Sequence, residues 1–61
     1  MWLNLKGKLI NLDNVQIIEH RGSRLWIGDL GASVDNRAES DSIIARIEEG
    51  IINGSELVEI E

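Results

Sequence analysis

The sequence predicts an α+β domain: a small antiparallel β-meander of about four strands, one helix in the C-terminal half packed on it, and a further edge strand at the end. Three observations lead there. Apolar residues alternate with polar ones from Met1 to Leu5, a period of two that suits a half-buried strand, and short apolar runs follow between turn signals. Residues 36–52 carry the only helical period. The last run, Leu57-Val58-Glu59-Ile60, is too short for a helix and fits a strand.

In chain order, Met1, Leu3 and Leu5 share one face of the first strand, and Lys6-Gly7-Lys8 is a tight connection. Residues 9–12 resume the apolar pattern until Asp13-Asn14, whose side chains favour a turn by bonding nearby amides. Residues 15–20 form the next strand. Ile17 and Ile18 face opposite ways there, as in a central strand covered on both faces. Arg21-Gly22-Ser23 reads as a hairpin turn leading into Leu25-Trp26-Ile27. The alternation then changes phase at Gly28, from Leu25 and Ile27 to Leu30, Ala32 and Val34. A one-residue bulge at Gly28 accounts for that shift.

In the helix, Ile43, Ile44, Ile47 and Ile51 fall within a stripe about 100° wide, with Ser40 in its middle. Asn36 with Glu39 has the form of a capping box, and Asn53-Gly54 supplies a left-handed stop. Glu48 and Glu49 oppose the macrodipole at the C-terminal end, and Arg46 is spaced to offset Glu49.

The 61 residues make one domain, 1–61, and a chain this size hides only about 60% of the surface its unfolded form exposes. With no cysteine and one histidine, neither a disulfide nor a structural zinc site is expected to staple it. Seven Leu, ten Ile and three Val must carry the core. No run approaches the roughly 20 apolar residues of a membrane span and no leader is visible, so the expected location is the cytoplasm. The net charge of −5 argues against indiscriminate binding to nucleic acid or acidic membranes. That charge is uneven, with a balance of +2 over residues 1–28 and −7 over residues 29–61.

Few residues suggest chemistry. His20 follows Glu19, but neighbours on a strand face opposite ways, so a surface histidine is expected. Residues 28–31, Gly-Asp-Leu-Gly, lack the glycine spacing and context of a phosphate loop. Asp35, Glu39 and Asp41 are better explained by capping than by calcium. No nucleophile has a histidine placed to serve it, and neither enzyme activity nor a cofactor is expected. A meander does place its first and third connections at one end, gathering Lys6, Lys8, His20, Arg21 and Arg24 into a basic edge open to an anionic partner or nucleic acid. Trp2, Ile52, Leu57, Val58 and Ile60 lie off the faces that the helix covers, or on the terminal edge strand, and are candidate contacts of a homo-oligomer, most simply a dimer.

Residues 9–19, LINLDNVQIIE, followed by Ser33-Val34-Asp35 and an Ile-rich helix, resemble the small FlbD-type proteins of flagellar operons and their phage-encoded relatives. That pattern is an Asn-x-Asp-x-Ile/Val turn, a hairpin, a glycine, a strand and a terminal helix. The resemblance covers about residues 2–52, implies no catalytic residues, and stops short of the tail after Gly54. Residues 21–28, RGSRLWIG, with Ser33-Val34 and Arg37, are also similar to the carbon storage regulator, a short dimeric RNA binder. The first strand lacks the basic pattern of that family apart from Lys6. The expected function is a non-catalytic interaction module acting as a homo-oligomer, with a protein partner open. The alternative is an RNA-binding regulator using the basic edge.

Overall fold

The computed structural model spans all 61 residues and has the order β1 Trp2–Leu5, β2 Lys8–Asn11, β3 Ile18–Arg21, β4 Arg24–Ile27, β5 Leu30–Ser33, α1 Arg37–Asn53 and β6 Leu57–Ile60, with a 3-10 turn at Leu12–Asn14. The fold is α+β, as the sequence implies. Its strands form two three-stranded sheets, β2-β1-β6 and β3-β4-β5, where a single meander was expected. The break falls where residues 12–17 leave the first sheet through the 3-10 turn.

β1 is the centre of the first sheet. It pairs antiparallel with β2 through a two-residue turn, in which Lys6 and Gly7 both take positive φ (50° and 90°). On its other side it pairs parallel with β6, in the register Trp2–Leu57 to Leu5–Ile60. The terminal strand is therefore paired within its own chain. Leu3 and Leu5 point inward with Val58, while Trp2, Asn4, Leu9, Asn11, Leu57 and Glu59 share the outward face.

In the second sheet the phase change at Gly28 is a chain reversal. Gly28-Asp29 is a two-residue hairpin turn with Gly28 at φ 60°, which sets Ile27 opposite Leu30 on one face. The expected bulge is thus replaced by a turn, and the one long strand by β4 and β5. The strand expected over residues 15–20 begins only at Ile18. It is an edge, not a centre, which leaves Ile17 exposed while Ile18 turns to the core.

The helix is capped at both ends as the sequence implies. The Asn36 Oδ1 accepts from the Glu39 N–H at 2.9 Å. The Glu39 carboxylate reaches back one residue further than a capping box requires, to the Asp35 N–H at 3.4 Å. At the other end Gly54 takes φ 68°, and the Ser55 N–H bonds to the Gly50 carbonyl at 2.9 Å, a Schellman closure. The buried face is Ser40, Ile43, Ile47 and Gly50. Ile51, expected inside, is exposed, because the helix meets β6 through Gly50 and so turns Ile51 outward.

One core joins the two sheets and the helix: Leu3, Leu5, Leu25, Ile27, Ile43, Ile47 and Val58. A Cβ at Gly50 would overlap the Val58 side chain and lie 3.5 Å from the Met1 sulfur. Gly→Ala inside a helix ordinarily stabilises by about 1 kcal/mol. Here the sign reverses, and Gly50→Ala is expected to destabilise by about 1–3 kcal/mol, the usual cost of overpacking. Urea denaturation measures it, and a variant as stable as the parent or more so contradicts the packing.

Candidate functional site

The residues expected to form a basic edge divide into two groups. The first turn of α1 takes up two of them. The Lys6 ammonium sits 2.7 Å from the Glu39 carboxylate, and the His20 Nδ1 lies 2.7 Å from the Ser40 hydroxyl. The β1–β2 turn and β3 thus meet the helix start together, but their polar groups are satisfied there. Arg21 and Arg24 belong to the outward face of the second sheet. The Arg21 guanidinium lies 4.8 Å from the centre of the Trp26 ring and 3.4 Å from Glu19. The other flank of that ring lies against Gly31, where a Cβ would stand only 3.0 Å away. Arg24 donates to the Gly31 carbonyl at 3.4 Å. Lys8 forms none of the ion pairs and stays exposed.

Two expectations change. His20 is half-buried and bonded, not a free surface histidine, and it does stand beside a hydroxyl. Ser40, however, is 0% exposed, so no substrate can reach its oxygen. The pair ties β3 to the helix. No three His, Cys, Asp or Glu side chains are grouped to hold a metal ion, and no helix is long and apolar enough to cross a membrane.

The candidate oligomer contacts divide as well. Trp2 (44% exposed) and Leu57 (46%) are cross-strand neighbours on the outward face of the first sheet. Val58 and Ile60 point the other way. Val58 is buried in the core of its own chain and Ile60 packs against that core, so neither is a free contact. Ile52 is 83% exposed at the helix end, away from this face. The sequence reading missed Leu9, which is 63% exposed and lies diagonally across from Trp2. The two-residue turn at Lys6-Gly7 was the signal, since it fixes Leu9 opposite Asn4.

The surface has two main hollows. One, of about 700 Å³, is polar and lies over the Lys6–Glu39 pair, with Arg46, Glu59 and Glu61 on its walls. Arg46 does not offset Glu49 as its spacing suggested. It donates to the Glu59 carbonyl of β6 at 2.7 Å. The other, of about 400 Å³, is apolar and runs between the 3-10 turn and α1, lined by Leu12, Val15, Ile44 and Ile51. Compared with known proteins, the chain matches no family model, no curated protein and no solved structure.

The Lys6–Glu39 pair sets a pH dependence. The hydrogen bond from Lys6, and then that from the Asp35 N–H, hold the Glu39 carboxyl below the ordinary glutamate range. The same hydrogen bond to Glu39 raises Lys6 above the ordinary lysine range. Because Glu39 titrates lower when folded than when unfolded, its contribution is present above the ordinary carboxyl range and is lost as pH falls through the lowered value. For Lys6 the loss comes at the alkaline end, as pH rises through the raised value. The pair is partly exposed, so its contribution is small. Glu39→Gln is therefore expected to melt somewhat below the parent at neutral pH, with the gap closing in acid. Melting curves across that range check it, and a gap that does not change with pH contradicts the pairing.

Proposed function

We propose that this protein is a non-catalytic interaction module that acts in the cytoplasm as a homo-oligomer, most simply a dimer. The observation that carries the reading is the outward face of the first sheet. Trp2, Leu57 and Leu9 form an apolar patch there, bordered by Asn4 and Asn11 and, beside Leu57, by Glu59. A solvated sheet face is ordinarily polar, and exposed apolar groups gathered on one face mark contact sites. The small core adds support. Only nine of the 61 residues are buried, and association with the folded state stabilises so slight a domain. The FlbD-type resemblance fits this reading, since that pattern carries no catalytic residues.

A second reading, RNA binding, rests on an exposed Arg21 stacked over a half-buried Trp26, with Arg24 beside it. The charge of −5 and the engagement of Lys6 and His20 weigh against it. Sedimentation equilibrium at micromolar concentration is expected to give a mass above that of one 6.8 kDa chain. A single-chain mass throughout contradicts the oligomer. A gel shift with mixed RNA at low salt is expected to show no tight complex. Tight, salt-sensitive binding that weakens in Arg21→Ala, Arg24→Ala would install the second reading.

A further inference from the structure

The edges of the two sheets differ in how their free backbone groups are treated. In an antiparallel pair, opposed residues alternate between bonded and unbonded. The Leu12 N–H bonds to the Met1 carbonyl at 2.9 Å, so Leu3–Ile10 and Leu5–Lys8 are the bonded pairs of β1 and β2. The N–H and C=O groups of Leu9 and Asn11 therefore point out of the sheet, along the free edge of β2. No side chain of the protein bonds to them. On β6, Glu56 and Ile60 bond to β1, so Leu57 and Glu59 face outward, and Arg46 occupies the Glu59 carbonyl at 2.7 Å. On β5, Gly31 and Ser33 face outward, and the Gly31 carbonyl is taken by Arg24. On β3, Ile18 and His20 face outward, and the His20 side chain ties that strand to the helix through Ser40. β2 and β3 each offer two residues of open ladder, and β2 is the one that no side chain holds to the helix.

We infer that β2 is the edge through which two copies of this chain join, pairing antiparallel across a two-fold axis centred on Ile10. This deepens the homo-oligomer reading and rests on it. The occupant follows from the strand itself. Centring on Ile10 sets Leu9 opposite Asn11 of the second copy and Asn11 opposite its Leu9, so both outward residues form their bonds. Shifting the centre to Leu9 or Asn11 would use only one of them. Ile10, which packs against the core, then meets its own copy on the inward face, and the core continues across the axis. The only charge on β2, Lys8, falls opposite Leu12 of the second copy and not opposite another lysine. β6 is less suited to self-pairing, since Glu56, Glu59 and Glu61 crowd it. The product is one six-stranded sheet in which the two outward faces adjoin, Leu9 is shielded by its neighbours, and Trp2 and Leu57 of both copies form one surface.

Two variants of the full chain test this. Leu9→Pro removes an outward N–H, a loss that an edge strand tolerates, so the chain keeps its circular dichroism and sediments as a monomer where the parent is twice 6.8 kDa. Ile10→Cys in this cysteine-free chain forms a covalent dimer under mild oxidation, because facing unbonded residues stand at a separation close to that of a disulfide. Ile52→Cys, more exposed but off the edge, stays largely monomeric. A dimeric parent whose Ile10→Cys variant does not cross-link, or whose folded Leu9→Pro variant remains dimeric, overturns the β2 edge and leaves the homo-oligomer standing. A monomeric parent overturns both. Should Leu9→Pro fail to fold, the cross-linking result decides.

Discussion

At Gly50 the helix comes so near to β6 that one methyl group would overlap Val58. That approach governs the rest of the molecule. The Gly50 carbonyl receives the Ser55 N–H, so the same residue that lets the strand come close also turns the chain toward it. β6 then lies parallel to β1, its Val58 seated in the core beside Leu3, and β1 becomes the centre of a sheet instead of its edge. Burying Val58 contributes about 1.5–3 kcal/mol, a large share for a chain with seven buried apolar side chains. The helix is also fixed in rotation, with Gly50 inward and Ile51 outward.

The arginines complement this arrangement. Arg46 and Arg24 each reach from a neighbouring element to an outward carbonyl of an edge strand. Exposed edges invite unwanted pairing, and covering them is a common remedy. Here two are treated in that way, a third is fastened to the helix, and β2 is left open. The helix start does a similar service for the polar groups of the turns. Glu39 satisfies Lys6 and the Asp35 N–H together, and Ser40 satisfies His20. Besides the β2 edge, the apolar outward face around Trp2 and the Arg21–Trp26 face of the second sheet remain for contact with other molecules.

Much of the local structure was legible because its causes are local. Asn36, Glu39 and Gly54 mark the helix through their own side chains and backbone freedom, and the alternation of Leu3 and Leu5 gives β1 its inward face. The misreadings arose where a distant segment decides. Ile51 belongs to the helical stripe by spacing, and only the approach of β6 at Gly50 turns it outward. Gly28 looked like a bulge because a bulge and a two-residue turn both shift the side-chain phase. The distinction lies in whether Leu30 continues past Ile27 or folds back opposite it. His20 looked free and Arg46 looked matched to Glu49 because their partners, Ser40 and the Glu59 carbonyl, lie on other elements. The split into two sheets follows from residues 12–17 leaving the first sheet through the 3-10 turn, and the parallel place of β6 beside β1 joins the two ends of the chain, which no short window contains.

The account depends on β6 completing the first sheet within each chain. Thermal unfolding of the chain ended at Gly54, followed by circular dichroism, tests that dependence directly. Loss of β6 uncovers Leu3, Leu5 and Ile47 and strips β1 of its parallel partner, so the shortened chain is predicted to show no cooperative transition. A sharp transition near the melting temperature of the full chain would contradict the account.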